Sequence, residues 1–415
     1  MSKVKVKLHE IATIKNGSTP STAVPEYYDG EVIWITPKDL STQNTRYISQ
    51  GERTITQAGL ASCSASIVPK GTILMSSRAP IGLLSIANTD LCTNQGFKNL
   101  VPDAQKIDSE FLYYYLKIKI HEIEKLGSGT TFKEVSKSSI ENFELLIPVK
   151  ISDQQEIASV LSSLDTKIEL NNRINSELES MAKTIYDYWF VQFDFPYDFA
   201  KGRPDINGKP YKSSGGKMVW NEELKREVPE GWGAGELIDI ANITMGQSPP
   251  GESYNEIGEG VIFYQGCTDF GTRFPSIRQY TTQPTRFAKQ GDILLSVRAP
   301  VGTMNIALSD CCIGRGLAAL SSKDNCTSFL FEVLRNLKQI FDRRNTDGTT
   351  FGAITKDDLF SLTVVKPTKD VLINFNSITQ SVFEKQNSIA LENQQLASLR
   401  DWLLPMLMNG QVRVG

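Results

Sequence analysis

The segment Gly71–Gly82, GTILMSSRAPIG, recurs 220 positions later as Gly291–Gly302, GDILLSVRAPVG. The match extends outward on both sides. Leu8–Ala12 (LHEIA), followed by Gly17 and Pro20, pairs with Leu237–Ala241 (LIDIA), Gly246 and Pro249, an offset of 229. Gly129–Phe132 (GTTF) pairs with Gly348–Phe351, and Pro148 with Pro367, at an offset of 219. Order and spacing hold from Leu8 to Pro148. A period this long exceeds that of any solenoid repeat and implies two copies of one domain, each with its own tail. Residues 21–70 and 250–290 share little and differ in length, so one scaffold carries two different variable surfaces.

The copies read as α+β. Short runs such as Val32–Ile35, Thr72–Met75, Val261–Tyr264 and Asp292–Leu295 have strand composition, and Ser109–Leu126 and Thr327–Arg343 have helical periodicity. Behind each copy the pattern changes to one long helix. After Pro148, Asp153 as N-cap and Glu156 form a candidate capping box. Ile157, Leu161, Leu164 and Ile168 then continue, after an extra step near Asn171, as Ile174, Leu178, Met181, Ile185 and Tyr188. After Pro367, Val371, Phe375, Ile378, Val382, Lys385, Ile389, Glu392, Leu396, Leu399 and Leu403 alternate by four and three. That spacing of 3.5 residues predicts a seam along which the two helices pair. The expected organisation is a first domain at 1–150, a first long helix at 151–192, a turn-rich linker or docking segment at 193–235, a second domain at 236–369, and a second long helix with its tail at 370–415.

Composition narrows the function. Of 415 residues, 40% are apolar and 22% charged, enough for ordinary cores. The net charge is −3, and residues 151–190 hold much of the excess acid, with 3 Lys+Arg against 7 Asp+Glu. Any phosphate-binding surface must therefore be a local patch. Six Cys form no C-x-x-C pair and only two His occur, so a disulfide framework, a zinc knuckle and a His-based catalytic engine lack raw material. No apolar run approaches the ~20 residues of a membrane span. A cytoplasmic location without membrane contact is the expectation.

Enzyme signatures are missing. No phosphate loop, dinucleotide fingerprint, zincin helix or nucleophile elbow occurs. Pro204-Asp205 with Asn207–Lys209 faintly suggests nuclease carboxylates but reads as a turn. Gly-Thr-Thr-Phe exposes backbone N–H groups and the hydroxyls of Thr130, Thr131, Thr349 and Thr350, which suit phosphate, although a plain tight turn explains it equally. Arg78 and Arg298 stand before a rigid Ala-Pro turn. They occur in both copies, whereas sequence reading should differ between copies, so a structural or backbone-phosphate role is favoured for them. Base reading is expected in the unmatched segments, with Lys38, Gln43, Asn44 and Arg46 in the first copy and Gln265, Arg273, Arg278 and Arg286 in the second. Asn94-Gln95 and Arg315 differ at one matched site and join the candidates. Each of these is also explicable as a solvated polar residue.

Taken together, the Leu-x-x-Ile-Ala…Gly…Pro opening, the paired Arg-Ala-Pro-x-Gly and the Gly-Thr-Thr-Phe block with its Leu146-Ile147-Pro148 exit resemble the specificity subunit of Type I DNA restriction-modification enzymes, commonly called HsdS. The central stretch from Trp189–Pro196 through Gly208–Gly216 to Val228–Trp232 is similar to that family too. The resemblance implies two target-recognition domains separated by two long antiparallel coiled-coil helices that act as a ruler, with residues 1–7 and 404–415 meeting near the first domain. It implies a chain without catalytic residues, metal or cofactor, in which each domain reads one half of a gapped, bipartite site in double-stranded DNA. Two modification subunits methylating adenine with S-adenosylmethionine, and restriction subunits using ATP and magnesium, are the implied partners. The competing reading is a two-lobed protein-interaction adaptor that never touches DNA; autonomous cleavage or methylation is the weakest.

Overall fold

The structure, a computed structural model, describes residues 2–412 and 414 except 44, 79, 129–132, 272, 339–340 and 343–352. It divides into two units, Met1–Arg173 with Glu392–Gly415, and Ile174–Leu391. Four helices recur below: α1 (Ser109–Glu124), α2 (Ile151–Tyr186), α3 (Thr327–Asn336) and α4 (Lys369–Asn409). Both α2 and α4 cross the division between the units.

In the first unit the matched block becomes the middle of a mixed sheet. Ile73–Ser76 pairs on one side with Phe97–Pro102 and on the other with Leu84–Ala87; Ala12–Asn16 and Tyr47–Ile48 form the edges. Side chains alternate across a strand, and both faces are covered here. Ile73 and Met75 enter a core with Phe111, Tyr114 and Leu116 of α1, while Leu74 enters a second core with Phe97 of the neighbouring strand and with Ile35 and Val68 of the variable segment. That is why Ile73–Ser76 is buried throughout. Lys3–Lys7 pairs antiparallel with Glu144–Pro148, and the Lys3 ammonium donates to the Met408 carbonyl at 2.6 Å, bringing residues 1–7 beside the end of α4 as expected.

The second unit repeats the sheet. Ile293–Ser296 lies between Leu317–Ser322 and Met304–Ile306, with Ala241–Met245 at one edge, and Ile293↔Leu320 reproduces Ile73↔Leu100. Ile293 and Leu295 again face the core of α3, and Leu294 faces Tyr264 and Ile313. The variable sides differ. A three-stranded sheet holds Tyr28–Ile35 in the first unit, and a five-stranded one holds Val261–Tyr264 in the second.

The two long helices pair antiparallel within each unit. In the first, Arg400 Nη1 donates to Asp165 Oδ1 at 2.7 Å and Lys167 pairs with Glu392 at 3.4 Å; in the second, Gln386 Nε2 donates to the Asn175 carbonyl at 3.4 Å and Tyr186 meets Phe375 edge-on. The extra step at Asn171 has a partner opposite. Asn171, buried, donates through Nδ2 to Glu392 Oε2 and Asn393 Oδ1, both at 2.8 Å, so the broken heptad of one helix meets the charged seam position of the other. Buried polar pairs of this kind fix register in helix pairs.

The predicted seam needs correction in detail. Lys385, Leu399, Met181 and Tyr188 are exposed, and Thr379, Phe383, Gln386, Ala182 and Trp189 take inward positions. A helix of 3.6 residues per turn drifts from a strict 3.5 repeat, so the buried stripe moves off the heptad. The capping box fails as well. The helix starts at Ile151, where the Gln154 N–H already donates to the Lys150 carbonyl, leaving Asp153 inside the first turn.

Residues 193–235, read as a turn-rich linker, are packed. Three short strands and the hairpin Met218–Asn221/Arg226–Pro229 frame an aromatic stack in which Phe195 lies flat on Tyr211 (4.7 Å) and on Trp232 (5.2 Å). Composition hid this because the rings are dispersed among Gly, Pro and Ser.

The second unit also buries charge. Phe331 lies between the guanidinium groups of Arg273 (4.9 Å) and Arg335 (5.2 Å); Arg335 pairs with Glu179 and, at 3.4 Å, with Glu332. Burial pushes the Glu332 carboxyl up to about 7, against the pull of Arg335. A raised folded-state pKa adds stability that is complete below the unfolded value and lost as pH rises through the folded one. Relative to Glu332→Gln, the wild-type chain should therefore lose on the order of 3 kcal/mol between about pH 4.5 and pH 7; thermal unfolding of both across that range checks this, and parallel curves contradict it. Separately, Asn171→Leu should cost about 1 kcal/mol by removing the two bonds that buried Asn171 donates to Glu392 and Asn393; chemical denaturation checks this, and an unchanged midpoint contradicts it.

Candidate nucleic-acid interface

One end of the matched sheet in each unit gathers the same three loops. In the first unit the Ser77 N–H donates to the Gly96 carbonyl at 2.7 Å and the Val135 N–H to the Ser77 carbonyl at 2.9 Å. In the second, Val297 donates to Gly316 at 3.0 Å and Ile354 to Val297 at 2.9 Å. The turn Asn94–Gly96, the strand exit at Arg78 and the backbone around Glu134 thus adjoin, as do Gly314–Gly316, Arg298 and Ala353. The opening motif closes each cluster from the other side. A Cβ on Gly17 would sit 1.9 Å from the Asn94 carbonyl oxygen, and one on Gly246 would sit 2.2 Å from that of Gly314, so only glycine permits the approach.

Two hydroxyls that sequence reading passed over complete the geometry. Thr19 Oγ1 bonds to Gln95 Oε1. Its counterpart Ser248 accepts from Gln265 Nε2 at 2.9 Å and from the Arg315 N–H at 3.4 Å. The signal was present: each lies just before the proline of the matched opening, two residues after its glycine, in Gly17–Pro20 and Gly246–Pro249.

These loops bring together part of the expected set. Gln95, Arg298 and Arg315 are exposed and Arg78 and Asn94 half-buried. Asn94 orders its own turn, its Oδ1 accepting the Gly96 N–H at 2.9 Å. Lys38 belongs to the helix Pro37–Ser41, whose Pro37 stands against Gly96; its ammonium pairs with Glu52 at 2.6 Å. Gln265 borders Gly314, and the Arg286 carbonyl accepts from Ile313, two residues before Arg315. Among the described residues, the side chains of Arg78, Arg286, Arg298 and Arg315 make no hydrogen bond or ion pair, so four cations stand uncommitted beside these two loop clusters.

Other candidates sit elsewhere. Arg46 is buried and committed to Glu169, Glu110 and Thr166, at 3.1, 3.3 and 2.8 Å. Gln43 donates to the Thr45 and Tyr47 carbonyls and to Ser85. Arg273 is buried between Phe331 and Phe383. Arg278 forks onto Asp269 and reaches Glu256. Burial takes Arg46 and Arg273 out of reach of a base edge. Sequence reading misplaced them because a cation in a variable loop carries no mark of which way it points. Asn44, Thr130, Thr131, Thr349 and Thr350 lie outside the described residues.

Free guanidinium groups, hydroxyls and amides on loops at a sheet end suit contact with phosphates and base edges. Among the described residues no cluster of three His, Cys, Asp or Glu side chains is placed to hold a metal ion, and no helix is long and apolar enough to cross a membrane.

Comparison with known proteins agrees with this construction. The family described as "Type I restriction modification DNA specificity domain" matches residues 1–180 and 229–398, one match per repeat. The type I restriction enzyme MjaIX specificity subunit of Methanocaldococcus jannaschii is 33% identical, over 98% of this chain and 93% of its own. The HindI specificity subunit of Haemophilus influenzae is 25% identical, over 83% and 87%. A crystal structure of a Type-I restriction-modification S subunit from M. genitalium shares the fold, with a TM-score of 0.61 over 98% of this chain and 96% of that one at 18% identity. With both repeats matched, and a relative one-third identical along nearly its whole length, the chain belongs to the family of type I restriction-modification DNA specificity subunits.

Proposed function

We propose that this chain is the non-catalytic reader of a type I restriction-modification assembly, and that each repeat reads one half of a bipartite, gapped DNA site. The observation that carries the reading is the repeated loop cluster: the same backbone frame in each unit, with Arg78 beside Gln95 in one and Arg298 beside Arg315 in the other, the three guanidinium groups uncommitted among the described residues. Matched arginines suit phosphates, which every DNA offers, and unmatched neighbours suit bases. Sequence preference then resides in Gln95 with Asn94 and Lys38 in the first half, and in Arg315 with Gln265 and Arg286 in the second. Arg278, held by two carboxylates, is a weaker contact. The Gly-Thr-Thr-Phe threonines add phosphate contacts.

In this proposal the paired helices set the gap. A helix of 36 residues spans about 54 Å, or about 16 base pairs of duplex, enough for two short words and the interval between them. Two modification subunits use the chain to place S-adenosylmethionine-dependent methylation on adenine, and restriction subunits bring ATP- and magnesium-dependent cleavage. The work takes place in the cytoplasm.

Fluorescence anisotropy of the chain assembled with its modification subunits tests the reading. Affinity should fall steeply with salt, and Arg78→Ala and Arg298→Ala should each reduce the salt slope by about one while weakening all sequences alike. DNA binding that is absent or indifferent to salt leaves the protein-adaptor reading standing instead. Adding seven residues to each long helix should lengthen the gap by about three base pairs and leave both words unchanged; an unchanged gap in a well-folded insertion variant refutes the ruler.

A further inference from the structure

The variable segments differ in length and sequence, yet both pass through one common point. The Arg46 carbonyl accepts from the Ile86 N–H at 2.8 Å, and the Arg273 carbonyl accepts from the Ile306 N–H at 2.9 Å. Ile86 and Ile306 are matched residues, paired with Ile73 and Ile293 in the two sheets. Arg46 and Arg273 are therefore equivalent in space although their offset, 227, belongs to no sequence block.

From that point each guanidinium reaches the long helix that follows its domain. Arg46 donates from Nε to Glu110 of α1, from Nη1 to Glu169 of α2 and from Nη2 to Thr166 of α2, and its backbone N–H donates to the other Glu169 oxygen at 2.9 Å. Arg273 lies 4.7 Å from the ring centre of Phe383 on α4 and 4.9 Å from that of Phe331 on α3. Its Nε and Nη2 have no hydrogen-bond partner, so stacking of the plane holds it. The chemistry differs between the repeats, and the bridge does not.

The bridge matters because of where it falls. In the first unit the domain enters α2 beside Gln154, whose side chain donates to the Pro148 and Lys106 carbonyls and accepts from the Asp108 N–H. Tyr114 adds a bond to Asp165 at 2.7 Å. The Arg46–Glu169 contact is the outermost described polar tie, fifteen residues or about 22 Å beyond Gln154. A body tied only near its point of entry can pivot; ties far along the helix remove that freedom, and of these Tyr114–Asp165 comes from the constant helix side of the domain while Arg46, the farther one, comes from the variable segment itself.

We infer that Arg46 and Arg273 are positioning residues, which lock each reading domain at one angle on its helix and so determine how strictly the gap between half-sites is measured. The inference rests on the DNA-reading function proposed above. Changing the gap by one base pair moves a half-site about 3.4 Å along the axis and turns it by about 35°. A pivoting reader can follow that displacement, and a locked one cannot.

The test uses the chain assembled with its modification subunits, on DNA carrying the wild-type word with the native gap or with one base pair added or removed. Arg46→Lys loses the planar fork. Arg46→Met with Glu110→Gln and Glu169→Met removes the bridge without leaving a buried carboxylate unpaired, and a melting curve confirms that it folds. Preference for the native gap should drop about tenfold in both variants, with both words unchanged, and Arg273→Leu should do the same from the other side. Undiminished gap preference in folded variants overturns the inference, as does a changed base in the first half-site, which would make Arg46 a reader. A wild-type assembly without any gap preference removes the function on which the inference rests, an outcome distinguishable from these because it appears before any substitution is made.

Discussion

The antiparallel pairing of the two long helices is the constraint on which everything else depends. Asp165 shows how it works. Buried on α2, its carboxylate accepts at 2.7 Å from Arg400 of α4 and at 2.7 Å from the Tyr114 hydroxyl of α1. One charged group thus ties the first domain, its own helix and the returning helix together. Breaking such a buried arrangement by removing one member costs more than the pair contributes, because the remaining charge is stranded. Asn171, Glu392 and Asn393 do for register what Asp165 does for attachment.

The sheets express a division of labour that follows from the period of a strand. Odd-numbered residues of the central strand, Ile73 and Met75 or Ile293 and Leu295, bury toward the helix side, and the even-numbered Leu74 or Leu294 buries toward the variable side. The helix side can stay constant between repeats while the variable side is rebuilt. Both faces converge on the loop end, where glycines at 17 and 246 bring the opening segment onto the turn. Two unlike surfaces are thereby presented from the same frame.

What could be read in the sequence was what shares a register. The repeat, the strands around Ile73 and Ile293, the two long helices and the opening motif all keep fixed offsets, and each appears as an element of the structure. Thr19 and Ser248 lay in a matched block and could have been singled out. Arg46 and Arg273 could not, because loops of unequal length lead to them and only the backbone bonds from Ile86 and Ile306 reveal their equivalence. Lys385 and Leu399 were misplaced because periodicity fixes a stripe only modulo the drift between 3.5 and 3.6 residues. The aromatic stack at 193–235 escaped because stacking brings together rings that have no period along the chain.

Sequencing, at single-molecule level, DNA modified by the chain assembled with its modification subunits tests the central claim most directly. A duplicated reader held on paired helices predicts one modified word made of two unlike halves separated by an unspecified interval of constant length. A single uninterrupted word, or modification independent of sequence, would contradict it.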